Sequence, residues 1–482
     1  MTTPTHDALD APDSSRIAAH GTAWRLASYA VSLLVSVVSI RLLTTHLGGD
    51  FGTFTVVSSI AFVAVASTDG GLTALGLREG ANITRTERVD LLANVLGLRL
   101  VLCTIGMVAG AVFALLTNRG HAFSLGVFIV GFGLMVAMIQ GSVAINLQLD
   151  LRIPAVATLE LLKTIALTAT YGGLVIAGAS LEGFYFAPAV AGLVMLAATV
   201  PLVPRAALHP RFDRQVWARM TRSVLPYSLA AAIAILYFRV TQIAMTYIAT
   251  PAETTEYAFA FRIVEVLGVI PGLVASSALP LLSRASVRGR ERFRTFSRSL
   301  SATAVLAGLT LATATAAGAP LAIRAIGGSE SSTSVDVLRV LAIALAFTFP
   351  LMIWSFLLIS IERYRALAAS GSIAAFAALA LAVALVPSHG AIGGALATVG
   401  GEVILAGSLC ITLSRYDRRL IPSLPQFLRP LAATIVPVTV VLGTLRSGIL
   451  APLVAIPGFA IAALMVRAVP PEVVDIARRR RA

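Results

Sequence analysis

Runs of about twenty apolar residues, the length a helix needs to cross the hydrocarbon of a bilayer, follow one another along almost the whole of this 482-residue chain. In lipid only a helix or a closed barrel satisfies its own backbone, and runs this long select the helix. Hydrophobic residues make up 57% of the chain and charged ones 12%, well away from a soluble globular protein at roughly 45–50% and 25%. The sequence therefore predicts an all-α integral membrane protein with about fourteen transmembrane helices. They fall at residues 22–44, 52–76, 89–116, 122–146, 154–177, 182–203, 223–248, 255–282, 299–322, 336–360, 365–386, 389–413, 427–445 and 449–467. No connection leaves room for a soluble domain.

Cytoplasmic loops hold excess positive charge, and most of the 37 basic residues fit that rule if the N-terminus lies inside. Arg205, Arg211, Arg214, Arg219 and Arg222 crowd one loop, and Arg284, Arg288, Arg290, Arg292, Arg294 and Arg298 crowd another. The outer connections carry only Arg41, Arg119, Arg324, Arg339 and Arg446. An even number of spans also returns the basic tail Arg478–Arg481 to the cytoplasm. The formal charge of +14 is spread over alternate short loops without an aromatic stacking platform. It therefore argues for anionic lipid as a partner and against nucleic acid. Met1–Ser15 is polar and mildly acidic, unlike the head of a cleaved signal peptide. Cys103 and Cys410 both fall within spans, which does not suit a disulfide framework.

The longest basic connection divides the chain. The expected organisation is a cytoplasmic tail at 1–21, a six-helix bundle at 22–203, a basic linker at 204–222, a second six-helix bundle at 223–413, two additional helices at 414–467 and a basic tail at 468–482. A short internal likeness points to pseudo-symmetric halves: Gly52-Thr-Phe-Thr-Val opens the second span as Tyr257-Ala-Phe-Ala-Phe opens the eighth. Repeated halves around a central site are common in secondary transporters.

Charges inside the spans carry most of the functional information, because each costs about 2.5–3.5 kcal/mol on insertion scales and is kept out of lipid. Arg239 lies in the seventh span, and Arg262 and Glu265 lie in the eighth. An antiparallel pair joined near 250–256 puts Arg239 and Glu265 at the same depth, roughly 15 Å from the surface at 1.5 Å per residue. Asp69 precedes Gly70-Gly71, where the second span should loosen. Arg99 sits mid-span, Glu402 follows Gly400-Gly401, and Arg25 marks the inner edge of the first span. Glu160 and Lys163 are spaced as an i,i+3 structural pair. Five bases, Arg25, Arg99, Lys163, Arg239 and Arg262, thus face four acids, Asp69, Glu160, Glu265 and Glu402. A slightly cationic interior suits phosphate or pyrophosphate, which match the guanidinium fork. Arg25, Arg99, Arg239 and Arg262 are the candidate substrate contacts, and Asp69, Glu265 and Glu402 the candidate gating or ion-coupling acids. Arg239 with Glu265 also reads as a neutralised pair that fixes helix register.

Several chemistries find no motif. Lys163 is the only lysine and follows Leu161-Leu162, so no phosphate-binding Gly-x-x-x-x-Gly-Lys loop exists. His-Glu-x-x-His, Cys-x-x-Cys and Gly-x-Ser-x-Gly are likewise absent from the sequence, as is the Asp-x-Asp of many glycosyltransferases. No cofactor or metal is expected.

The order of five segments resembles the Wzx-type oligosaccharide flippases, in the polysaccharide-transporter branch of the multidrug, oligosaccharidyl-lipid and polysaccharide exporter superfamily. These are Leu43 to Phe54; Leu225-Pro226-Tyr227 with Leu236-Tyr237-Phe238-Arg239; Tyr257 to Glu265; Pro271 with Ala278-Leu279-Pro280-Leu281-Leu282-Ser283; and Gly390 to Thr398. The resemblance runs from the first span through the twelfth. It implies two six-helix bundles and two further helices in a bacterial inner membrane. It also implies alternating-access transfer of a polyprenyl-diphosphate-linked oligosaccharide to the outer leaflet, with no catalysis. A polysaccharide polymerase and glycosyltransferases are the candidate protein partners, and a monomer is the expected state. One departure is visible: the family often has an aspartate shortly after the arginine of the seventh span, where Val240-Thr241-Gln242 supplies only Thr241.

Three rival readings remain at this stage. A drug or small-molecule antiporter of the same superfamily should have an acid-dominated interior. A peptidoglycan-precursor flippase would share the diphosphate chemistry. A membrane glycosyltransferase or polysaccharide polymerase should carry a large outer loop with catalytic acids.

Overall fold

The computed structural model describes residues 14–80, 83–117, 119–150, 152–288, 290–327 and 332–421, and all regular elements among them are helical. In chain order these are α1 Ser14–Leu47, α2 Phe51–Ala66, α3 Leu72–Gly80, α4 Arg85–Leu116, α5 His121–Leu149, α6 Ile153–Ile176, α7 Leu181–Phe184 and α8 Ala187–Thr199. They continue as α9 Arg214–Ile248, α10 Pro251–Arg288, α11 Arg290–Gly327, α12 Ser332–Ser360 and α13 Tyr364–Asp417. Among the described residues, nine helical stretches are long and apolar enough to cross a membrane, so the chain is a multi-pass membrane protein. The expected spans at 427–445 and 449–467, and the basic tail after them, lie outside the described residues.

Helix boundaries follow local chemistry. Thr84 caps α4 through a reciprocal pair with Glu87, and Thr250 with Glu253 repeats the device at the start of α10, with backbone contacts of 2.9 and 3.3 Å. Asp213 opens α9 by accepting from the amides of Gln215 and Val216 at 2.8 and 3.2 Å. The expected second span is not one helix. A 3₁₀ turn at Ser67–Asp69 follows α2, and Gly70 and Gly71 then take φ of 55° and 74°, a left-handed conformation that glycine alone adopts at little cost. The expected eleventh and twelfth spans merge into α13, interrupted at Gly390 with φ 55° and ψ −131°.

The chain divides into two compact units. The described residues of Met1–His46 and Ile60–Ser228 form the first, and those of Leu47–Ser59 and Leu229–Ala482 form the second. In the first unit, α5 packs against α4 and α8, and α6 against α8. Leu72, Leu75, Leu92, Val95 and Ile145 fill a core between α3, α4 and α5. In the second unit, α12 packs against α10, α11 and α13, with Trp354, Leu357, Leu409 and Leu413 in its core. The openings of α2 and α10, beside the two look-alike segments, meet within this unit. Phe51 stacks on Phe259 with centroids 4.9 Å apart, and Thr255 donates to the Gly49 carbonyl at 2.8 Å.

Part of the basic linker is fastened to α4. The Arg211 amide donates to Ala93 O at 2.9 Å, the Asp213 amide to Asn94 Oδ1 at 3.2 Å, and Trp217 Nε1 to Asn94 O at 3.1 Å. Gly97 makes this approach possible, since a Cβ there would sit 2.1 Å from Arg211 O. Gly97→Ala should therefore lower stability by about 1–3 kcal/mol through overpacking against backbone. Gly173→Ala on α6, where a Cβ meets nothing within 4 Å, should be neutral or stabilising. Thermal unfolding in detergent compares the two.

Candidate functional site

In the first unit the break after α2 carries Asp69 to α4. Its carboxylate accepts from Arg99 Nη2 and from Thr73 Oγ1 at 3.0 Å. Arg99 is 1% exposed; Nη1 donates to Met138 O at 3.1 Å and Nη2 also to Thr73 Oγ1 at 3.0 Å. A guanidinium at this burial needs both a counter-charge and fixed acceptors; the turn after α2 supplies the charge, and α3 and α5 the acceptors. The glycine break serves packing as well as direction. A Cβ on Gly71 would lie 2.5 Å from the Tyr227 ring, and the Ser228 hydroxyl donates to Gly70 O.

In the second unit Glu265 on α10 lies between two guanidiniums. Arg239 Nη2 on α9 donates to Glu265 Oε1, and Arg262 Nη1 donates to Glu265 Oε2 at 2.6 Å. Arg239 Nη1 reaches Gln242 Oε1 at 3.1 Å, and the Ser59 hydroxyl of α2 donates to the same oxygen at 2.8 Å. The Phe238 and Phe261 rings lie 5.4 and 5.9 Å from the Arg239 guanidinium, a cation–π arrangement. Arg239 is nearly buried, whereas the Arg262 side chain is 37% exposed. Two cations thus converge on one carboxylate, with the outer cation accessible.

Glu402 on α13 is also buried, but its surroundings are different. With Tyr237 of α9 it lines a cavity that also takes in Thr241, Thr348 and Thr398 and is walled by Phe238, Phe261 and Val264. No cation among the described residues forms an ion pair with it.

The remaining sequence candidates are placed differently. Arg25 lies on α1, and its side chain is outside those described. The pair expected from Glu160 and Lys163 is not among the described ion pairs. Glu160 is exposed on α6, whereas the same i,i+3 spacing does join Glu291 to Arg294 and Asp336 to Arg339. Sequence reasoning missed Thr73, Ser59, Gln242 and Tyr237. Gln242 was legible at i+3 from Arg239, but nothing in the sequence connects Ser59 to either.

No protein-family model matches the chain, and no curated protein matches it. Solved structures do. The lipid II flippase MurJ in an inward closed conformation is 12% identical, with 93% of this chain and 98% of that one covered at a TM-score of 0.73. An inward-facing multidrug resistance transporter of the MATE family in the MOP superfamily is 16% identical, with 82% and 98% covered at 0.66. An outward-facing MATE family transporter of that superfamily is 17% identical, with 87% and 99% covered at 0.58. The chain shares the fold of these multi-helix membrane proteins over most of its length.

The buried clusters differ in how they respond to truncation. Asp69→Ala strands the guanidinium of Arg99 and should cost about 3–5 kcal/mol, the usual penalty for one half of a buried pair. Arg99→Met should cost less, because Asp69 is 33% exposed and keeps the hydrogen bond from Thr73. The double variant should recover much of the loss of Asp69→Ala. Thermal unfolding of the three purified variants measures this non-additivity.

Proposed function

We propose that this chain is a transporter, not an enzyme, and that it moves a polyprenyl-diphosphate-linked oligosaccharide from the inner to the outer leaflet for surface polysaccharide assembly. The observation that carries this reading is the cluster of Arg239, Arg262 and Glu265, where two guanidiniums share one carboxylate. The exposed member, Arg262, offers a planar fork of donors to a diphosphate. An interior dominated by acids would instead suit organic cations, as a drug antiporter requires. Fold neighbours captured inward- and outward-facing support alternating access as the mode of transfer. Basic cytoplasmic loops around Arg211, Arg214 and Arg219 would gather anionic lipid at the entry side.

In this reading Arg262 contacts substrate, while Arg239 is chiefly the residue that positions Glu265. Arg99 holds the break at Asp69 in shape, and Glu402 is the acid available for ion coupling. A second reading is favoured by one observation: the similarity at a TM-score of 0.73 to a lipid II flippase supports a peptidoglycan precursor as an alternative diphosphate lipid. Both substrates present the same phosphate chemistry and differ in the glycan.

Arg262→Ala should reduce leaflet transfer of a fluorescent lipid-linked oligosaccharide in proteoliposomes at least tenfold, the factor that corresponds to about 1.4 kcal/mol. Arg262→Lys, which keeps the charge and loses the fork, should fall between. Transfer unchanged in Arg262→Ala removes this residue from substrate contact. Transfer of lipid II at a higher rate than the oligosaccharide lipid selects the second reading.

A further inference from the structure

Both units hold arginine–carboxylate pairs among their described residues, but the order of exposure differs between them. In the first unit the Arg99 side chain is 1% exposed and that of Asp69 33%, so an arriving anion would meet a carboxylate. The second unit reverses this order. Arg239 and Glu265 are the inner members, with side chains 10% and 20% exposed, and Arg262 is the outer one at 37%. Here an anion would meet a guanidinium first.

That guanidinium is already occupied. Arg262 Nη1 donates to Glu265 Oε2 at 2.6 Å, while Glu265 Oε1 takes its donor from Arg239 Nη2. A carboxylate resembles a phosphate to a guanidinium fork, since both present paired oxygens to it. Glu265 thus fills a position that an oxyanion bound to Arg262 would need.

The two halves of this bridge differ in strength. Arg239 is fixed from several directions: Nη1 donates to Gln242 Oε1 at 3.1 Å, the Ser59 hydroxyl donates to the same oxygen at 2.8 Å, and the Phe238 and Phe261 rings flank the guanidinium. Removing one partner of a buried pair costs about 3–5 kcal/mol. The Arg262 half joins residues at i,i+3 on α10, and a helical pair of that spacing contributes only about 0.2–0.5 kcal/mol where water reaches it. The outer contact is therefore the one that opens, and a side-chain rotation suffices to open it. Charge favours the exchange as well, because two guanidiniums and one carboxylate leave the empty cluster with positive charge in excess.

We propose that Glu265 is a resident stand-in for substrate phosphate: it occupies the Arg262 fork in the empty protein, and a diphosphate displaces it there while Arg239 retains it. Because each arriving phosphate must replace an existing contact, the headgroup is held well enough to enter and weakly enough to leave. The exchange also selects for charge, since a monovalent anion gains no more at Arg262 than the carboxylate it removes. This proposal rests on the reading of Arg262 as a diphosphate contact.

Isothermal titration of the purified chain with inorganic pyrophosphate tests it. Glu265→Gln should bind pyrophosphate about tenfold more tightly than the wild type, the low end of what a hydrogen bond to a charged group contributes. An acid that only orients Arg262 predicts the opposite, so weaker or unchanged binding in Glu265→Gln overturns the proposal. Where Glu265→Gln does not fold because Arg239 is stranded, Arg239→Met combined with Glu265→Gln removes the buried pair whole and carries the same expectation. Adding Arg262→Ala should abolish the gain in either background; a gain that persists puts the anion elsewhere and sinks the idea. Farnesyl diphosphate, a short prenyl lipid, should gain by the same factor, and a gain confined to inorganic pyrophosphate rules out displacement by a lipid headgroup. Failure of the flippase reading is distinguishable, since it appears as absence of oligosaccharide-lipid transfer by the wild type.

Discussion

The fixed partner of a guanidinium in hydrocarbon is the constraint on which the rest of this structure depends. A flexible Arg at a protein surface can be satisfied by water, but Arg99 and Arg239 cannot, so other elements must be shaped to reach them. For Arg99 this means ending α2 early, breaking the helix at two left-handed glycines and presenting Asp69 and Thr73 to α4. For Arg239 it means that α9 and α10 share a register in which Glu265 arrives opposite, with Gln242 bridging to Ser59 of α2. Each cation therefore organises three helical segments rather than a single contact. Removing the acid is more damaging than removing both charges.

Close approach by glycine is the second recurring device. Gly71 accommodates the ring of Tyr227, Gly126 that of Tyr185 and Gly401 that of Tyr237. In each case a bare glycine meets an aromatic ring that could not lie as close to a side chain. Among membrane helices, where lipid competes equally for apolar surface, such packing is a main source of attraction. The Ala- and Gly-rich stretches of α13 have the same effect around Glu402. Their spacing brings an acid and a phenol to the lining of one cavity, and no ion pair to that acid is found among the described residues.

Much of the fold was legible because the bilayer simplifies the problem: length and apolarity nearly suffice to define a spanning helix. Residues 122–146 and 336–360 read as spans and lie within α5 and α12. The pairing of Arg239 with Glu265 was legible from depth along an antiparallel pair. The partners of Arg99 were only half legible, since Asp69 and the loosening at Gly70-Gly71 stand out in the sequence but the turn that aims Asp69 does not. Glu160 and Lys163 are different: helical spacing reads as a pair, but spacing alone does not fix where two long side chains point, and the pair is not among the described ion pairs although Glu291 with Arg294 is. Ser59 was invisible because an uncharged hydroxyl within a span gives no signal until a neighbour reveals its purpose.

Asn94 has a consequence for how the protein is made. It lies near the start of α4, yet it binds the amide of Asp213, 119 residues later, and the indole of Trp217. Chains begin to fold from the N-terminus as they are synthesised, so the start of α4 waits with the Asn94 side-chain acceptor unmatched while α5, α6, α7 and α8 are made. The first unit, which extends to Ser228, is complete only after the opening turns of α9 leave the ribosome. The smallest fragment of the nascent chain able to close this unit must therefore reach into α9 and cannot stop at the end of α8.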